Sequence, residues 1–407
     1  MSVAADQRDT RGAREASVGW LGTYWHHPRK SWTRRAFFQI HLWSGIGVGV
    51  IATLVGVSGS AIVYKDAFDK ILTPGLFRTI PADHRLTTDQ LLTAVDAANP
   101  GWPASYAAID EKPGARRPEP WVFYLSPPAA RHLVLAYVDP ANGRELGMIG
   151  DASGVMNWLA ELHFRLLGGA TGSIVNGIGA FLLLLLCMTG LVLWWPGRSR
   201  VPHGFKIQWR ARWLRLNWDI HSVFGFWVSI PLAIEAFTGA YYCFFAPMAV
   251  ALVFLLGGSI HKWQEMSVPP RSAVVADQPA VALEPLVQEA LKRHPDCTLR
   301  GLALPVQPAD PFTVQMDPLH AEDRGDYVQV VFDRYSGRVL SDVDSRRQSL
   351  AIRLVLFIRP LHFGTFAGTW SRVLWILVGL MPGILFFTGF VMWWRRVPGR
   401  MLRSRSA

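Results

Sequence analysis

Four apolar runs, residues 36–64, 171–195, 221–245 and 370–394, each hold about 24 residues or more with few charges. At about 1.5 Å per residue, a helix of that length crosses a hydrocarbon core of about 30 Å. Backbone polar groups in lipid must be satisfied within the segment itself, so runs like these are predicted as four spanning helices. The chain of 407 residues is 50% hydrophobic and 17% charged, a balance that points to a membrane protein. Residues 1–35 are polar and basic with no separate apolar core, so the first helix is predicted to serve as an uncleaved anchor.

Charge placement orients these helices. The net charge of +11 gathers before helix 1, in the link between helices 2 and 3, and after helix 4. This positive-inside bias places both termini and that link in the cytoplasm and both long loops outside. It explains the charge without invoking a nucleic-acid partner. Membrane lipid is the expected neighbour. Three cysteines, with no CxxC and no CxxCH, build no disulfide framework and argue against c-type haem and iron–sulfur sites.

Four histidines recur at matched distances. His41 and His221 stand 17 residues before Ser58-Gly59 and Thr238-Gly239, while His163 and His362 stand 26 before Thr189-Gly190 and Thr388-Gly389. Both Leu162-His163-Phe164 and Leu361-His362-Phe363 precede a double tryptophan, Trp194-Trp195 and Trp393-Trp394. The loops also correspond, aligning Asp139, Gly143 and Arg144 with Asp333, Gly337 and Arg338. The chain therefore reads as two copies of one unit: helix, outer domain, helix.

The predicted fold is a membrane all-α four-helix bundle of two tandem repeats, carrying two small α+β extracytoplasmic domains. Its segments are a basic N-terminus (1–35), helix 1 (36–64), a first outer domain (65–160) and helix 2 with its histidine segment (161–196). A basic link (197–217), helix 3 (218–245) and an interfacial segment with a second outer domain (246–355) follow. Helix 4 with its histidine segment (356–395) and a basic tail (396–407) complete it. Each outer domain is expected to begin with an amphipathic helix, residues 88–98 and 283–293. Strand-like runs follow at 121–125, 132–138, 312–316 and 327–332, with an Asn-Gly or Ser-Gly turn before a last strand.

An imidazole within a membrane segment is costly and marks a functional candidate. The topology puts His41 and His221 toward the cytoplasmic side and His163 and His362 toward the outer side. Two haems, each held by one such pair, would form an electron path across the bilayer. Arg35, Arg165, Arg353 and Arg359 are candidate propionate partners. The other histidines, His26, His27, His84, His132, His203, His261, His294 and His320, are predicted to be loop or surface residues. Glu235 is the one carboxylate well inside an apolar run, and is either a proton-relay or path residue or a hydrogen-bonded structural carboxylate.

The helical segments RRAFFQIHLWSGIGVGVIATLVGVSGSAIVY, LHFRLLGGATGSIVNGIGAFLLLLLCMTGLVLWWP, LNWDIHSVFGFWVSIPLAIEAFTGAYY and LHFGTFAGTWSRVLWILVGLMPGILFFTGFVMWWRR resemble the PepSY-associated transmembrane family of bacterial iron-regulated membrane proteins. That resemblance implies an inner-membrane protein with b-type haem at His41, His163, His221 and His362. It also implies PepSY domains outside, in the periplasm, and reduction of ferric iron, often siderophore-bound, at that face. No GxGxxG or flavin-binding segment follows Arg396. The expected electron donor is therefore separate, a quinol or a cytosolic flavoprotein. Two other classes compete with this reading: a cofactor-free, membrane-anchored binding module, and a metal or siderophore permease with Glu235 lining its path.

Overall fold

A computed structural model describes residues 32–396, apart from 82–83, 111–116, 128–132, 151–152, 275–277 and 320–324. The basic segment before residue 32, the tail after 396, and His26, His27, His132 and His320 lie outside the described residues. Among the described residues, four helices are long and apolar enough to cross a membrane: α1 (Trp32–Ile62), α5 (Gly169–Trp194), α6 (Trp213–Cys243) and α12 (Gly368–Arg396). Between α1 and α5 come α2 (Lys65–Leu72), α3 (Thr88–Ala98), β1 (Ala104–Ala108), β2 (Trp121–Leu125), β3 (Val134–Val138), β4 (Glu145–Gly150) and α4 (Val155–Arg165). Between α6 and α12 come α7 (Phe245–Leu255), α8 (Ile260–Ser267), α9 (Leu283–Arg293), β5 (Cys297–Ala303), β6 (Phe312–Pro318), β7 (Val328–Phe332), β8 (Val339–Asp344), α10 (Leu350–Leu356) and α11 (Ile358–Phe363).

The chain divides into two compact units. Of the described residues, the first gathers 32–60, 163–243 and 374–396, and the second those within 61–162 and 244–373. Within the first, small residues let the long helices approach closely, the usual device where lipid offers no hydrophobic drive for association. A Cβ on Gly49 of α1 would fall 2.0 Å from the Phe386 ring of α12, and one on Gly56 would fall 2.1 Å from the Gly379 carbonyl. Ser60 adds a hydrogen bond to the Ile376 carbonyl at 3.0 Å. Arg34 of α1 donates to the Trp195 carbonyl at 3.1 Å, satisfying one acceptor at the otherwise open C-terminus of α5.

Helix α6 begins inside the stretch predicted to be a basic link. Its first turns are fixed by Asp219, which is buried, pairs with Arg215 at 3.0 Å and accepts the Gln208 N–H at 3.2 Å. That i,i+4 pairing extends the helix beyond its apolar run. After α6 the apolar character continues into α7, which has 11 residues and is too short to span. Gly257, with φ of 74°, follows its end.

In the second unit the predicted helices, 88–98 and 283–293, form as α3 and α9. Thr87 starts α3 with a capping box shared with Gln90. Asp139 and Asp333 are buried and shape the β3–β4 and β7–β8 turns alike. Each accepts backbone N–H groups of its own turn, from Ala141 and from Tyr335 and Ser336. Each also ties down a distant N–H, from Ile80 and Ala273, at 3.0 Å. Gly143 and Gly337 take positive φ at those turns.

The sheet differs from the two separate domains predicted. It is one antiparallel sheet in the order β4-β3-β2-β1-β5-β6-β7-β8, joined where β1 pairs with β5. A single core runs beneath both halves, including Leu91, Trp121, Phe123, Leu286, Leu302 and Phe332. The physical reason is edge exposure. Each four-stranded half alone would leave β1 or β5 with unpaired backbone groups and a core cut open, and pairing the two removes both defects. His294, predicted to be a loop or surface residue, lies in the loop after α9 and is buried there, with Nε2 2.8 Å from Asp342. A histidine there closes a helix end against a strand.

Candidate functional site

His41 lies ten residues into α1 and His221 nine into α6, and the rings face each other with centroids 6.4 Å apart and planes at 89°. Each ring is held by the same device. His41 Nδ1 is 2.9 Å from Thr189 Oγ1 of α5, and His221 Nδ1 is 2.8 Å from Thr388 Oγ1 of α12. The Thr189 hydroxyl gives its proton to the Leu185 carbonyl at 2.8 Å, and Thr388 gives its own to Ile384 at 2.8 Å. With those protons spent, each hydroxyl oxygen accepts, so Nδ1 of each histidine is the donor. The neutral ring then carries its lone pair on Nε2.

The next residue makes room. A Cβ on Gly190 would sit 3.3 Å from His41 Cε1, and one on Gly389 would sit 3.3 Å from His221 Cε1. A Cβ on Gly45 or Gly225, four residues after each histidine, would sit 3.7 Å from Leu186 or Leu385. Asn217, one turn before His221, is fully buried and donates to the Thr388 carbonyl at 2.9 Å.

His163 lies in the last turn of α4 and reaches helix α1, where its Nδ1 donates to the Val55 carbonyl at 2.8 Å. A Cβ on Gly59 would lie 2.6 Å from His163 Cε1, so only glycine fits there. The chain then reverses sharply. Leu166 and Leu167 have φ of 49° and 59°, a left-handed conformation costing roughly 1–2 kcal/mol for each such residue. A Cβ on Gly172 would collide with the Arg165 carbonyl at 1.7 Å, and Asn176 of α5 donates to the His163 carbonyl at 2.7 Å. Strain maintained this tightly beside an anchored imidazole is a feature of functional sites.

The family model of the PepSY-associated TM region matches residues 38–396, which contain all of these groups. The chain belongs to the PepSY-associated transmembrane family. Among curated proteins, none matches it.

The remaining candidates of this PepSY-associated chain are spread out. His362 sits on α11 in the second unit, beside Phe363 at 6.0 Å between rings. Its helix ends on Gly364, with φ of 69°, whose carbonyl accepts from Ser371. Glu235 lies on α6, 14 residues after His221, roughly 21 Å along the axis. One carboxyl oxygen is shielded from solvent. Arg35, Arg165, Arg353 and Arg359 are all exposed, and Arg359 stacks over Phe363 at 5.9 Å. The anchors Thr189, Thr388 and Val55 were not read as site residues from the sequence. The signal for two of them was present: Thr189-Gly190 and Thr388-Gly389 are the repeat markers that follow His163 and His362. In space Thr189 serves His41, and Gly59, which follows His41 in sequence, serves His163.

Proposed function

We propose that this protein is a b-type haem protein of the bacterial inner membrane. In this reading it carries electrons outward, from a separate quinol or flavoprotein donor, to ferric complexes such as ferric siderophores. The observation that carries the reading is the His41–His221 pair. Metal–imidazole bonds are about 2 Å and each ring nitrogen lies about 1 Å from its centroid, so two rings sharing one iron have centroids about 6 Å apart. The observed 6.4 Å matches that spacing. Two imidazoles are too few for a bare metal ion, and suffice for an iron that brings four equatorial nitrogens of its own.

Bound there, haem would supply a one-electron ferric/ferrous couple. This chain's residues do the rest. Thr189 and Thr388 hold each Nδ1 proton, so each Nε2 lone pair is presented without a rotamer search. Gly190 and Gly389 keep the space beside each ring open. For a second haem, the sequence repeat nominates His163 and His362. The two-copy reading of the chain and the cytoplasmic placement of both termini, with the sheet unit in the periplasm, belong to the same proposal.

Protein purified after expression with added haem should contain about two b-type haems per chain, with a Soret band and split α and β bands. His41→Ala and His221→Ala should each remove the same one. A stably folded, colourless protein overturns the proposal and favours the cofactor-free anchored module.

A further inference from the structure

The face of the sheet turned away from α3 and α9 is not uniformly apolar. At its centre, where β1 meets β5, four half-buried side chains converge: Tyr106, Tyr124, Arg300 and Gln315. Tyr106 donates to Gln315 Oε1 at 2.9 Å, and Arg300 Nη2 donates to the same oxygen at 3.3 Å. Tyr106 and Tyr124 meet edge to face at 5.5 Å and 82°. With its oxygen taken twice, the Gln315 amide is left with its N–H pair, and most of the Arg300 donors remain.

The frame beneath is symmetric. Both central strands bulge, between Ala104 and Tyr106 in β1 and between Leu299 and Gly301 in β5. The bulge carbonyls of Ser105 and Arg300 accept from Leu304 at 3.0 Å and Ile109 at 2.9 Å. Positions in β1 have their counterparts 195 residues on in β5, and Tyr124 of β2 has its counterpart 191 residues on in β6, in strand pairing as in number. The side chains break that symmetry. Ser105 corresponds to Arg300, Tyr106 to Gly301, and Tyr124, paired with Tyr106, to Gln315, paired with Gly301. A Cβ on Gly301 would fall 2.1 Å from the Tyr106 hydroxyl, so the phenol occupies the room its counterpart gives up. One half supplies a pair of rings and the other a cation and an amide. Bulges re-aim side chains in this way beside functional sites. A merely structural joint would need no such division.

The surroundings complete the chemistry. Asp317 stands 3.5 Å from Arg300 Nε. The charge of Arg359, one turn before His362 on α11, acts on the Tyr106 hydroxyl, while Asp66 acts on Tyr124 from the β2 side. Burial outweighs both arginines and holds the Tyr106 phenol above its ordinary range, so it stays a donor at neutral pH.

We infer that this strip binds the terminal electron acceptor, a ferric chelate whose ligands are anionic, ring-bearing oxygen donors of the phenolate or catecholate kind. The rings pack with the tyrosines, and the anionic oxygens take donors from Arg300, Gln315 and Tyr106. The inference rests on the proposed function, and each bound ferric ion takes one electron to become ferrous.

The test uses the full-length protein and a redox-inert probe, the gallium(III) complex of 2,3-dihydroxybenzoate, titrated by quenching of intrinsic fluorescence. Saturable binding is expected. Arg300→Gln should weaken it about tenfold or more, and Tyr106→Phe, which keeps the ring over Gly301, several-fold. The uncharged gallium–acetohydroxamate complex should bind more weakly and ignore Arg300→Gln. No saturable binding, equal binding by both variants, or equal preference for the two probes overturns the inference. Visible spectra of the same samples separate it from the haem reading. Haem without probe binding sinks the site alone, and probe binding without haem sinks the electron-transfer reading alone.

Discussion

At the scale of residues, the decisive groups are two threonines with no charge and no reactivity of their own. Each spends its proton within its own helix and so turns its oxygen into an acceptor for an imidazole on a neighbouring helix. Partners of this kind typically change metal affinity about 10–100-fold. Thr189→Val keeps the shape and removes the acceptor, and on the haem proposal it should loosen one haem by about that factor, while Thr189→Ser should not. Haem transfer to an excess of an apo-acceptor protein measures it, and equal retention in both variants would refute the role. Gly59→Ala should act on the other imidazole. Its new methyl group would crowd His163, costing about 1–3 kcal/mol as overpacking. Thermal unfolding would register the loss, with the His41–His221 spectrum unchanged. The histidines themselves were legible in the sequence, because an imidazole is costly in an apolar run and these four stand at repeated distances. Their anchors were not, because Thr189 and His41 are 148 residues apart and no local pattern reports a bond across helices.

At the scale of elements, the two sheet helices meet head to head. The Thr88 N–H and hydroxyl both donate to Glu284 at 2.7 Å, while Leu283 and Glu284 N–H groups donate to Asp89 at 2.8 and 2.9 Å. Two helix N-termini brought together would repel, and each instead receives the carboxylate of the other. Arg85 braces the pair with two bonds to Glu284, at 3.1 and 3.0 Å. Burial pushes the Glu284 carboxyl up, but bonds from Arg85, Thr88 and Gln288 outweigh it and hold it at about 2. A carboxyl lowered on folding adds stability above its unfolded value, near 4.5, and loses it as pH falls through about 2. With a discount for solvent screening, the amount is about 2 kcal/mol. Acid unfolding of the sheet unit between those values should therefore be flatter in Glu284→Gln. Parallel acid curves for variant and parent would count against it. The helices α3 and α9 and strands such as Trp121–Leu125 were readable from apolar spacing. Strands β1 and β5 were not. ASYAA and CTLRGLA contain small residues and a bulge, which blur the two-residue alternation a strand shows.

At the scale of the whole sheet unit, those two unread strands decide the architecture. Their pairing, Tyr106 with Ala303 through Ala108 with Gly301, joins what the sequence presents as two domains into one core. Strand periodicity reports which face a residue takes, and says nothing of which edge meets which, so two repeats could not be told from one fused sheet. Fusion has an energetic consequence that separate domains would lack. Leu302 is fully buried on β5, in the core shared by both halves. Leu302→Ala should cost about 2–5 kcal/mol, and in a single cooperative sheet that loss is felt wherever unfolding breaks the common core. Amide exchange should quicken in β2 and β3, which Leu302 does not border in the strand order, as well as in β6 and β7. Were the halves independent, acceleration would stop at the β1–β5 joint, and protection in β2 and β3 would remain at the parent value.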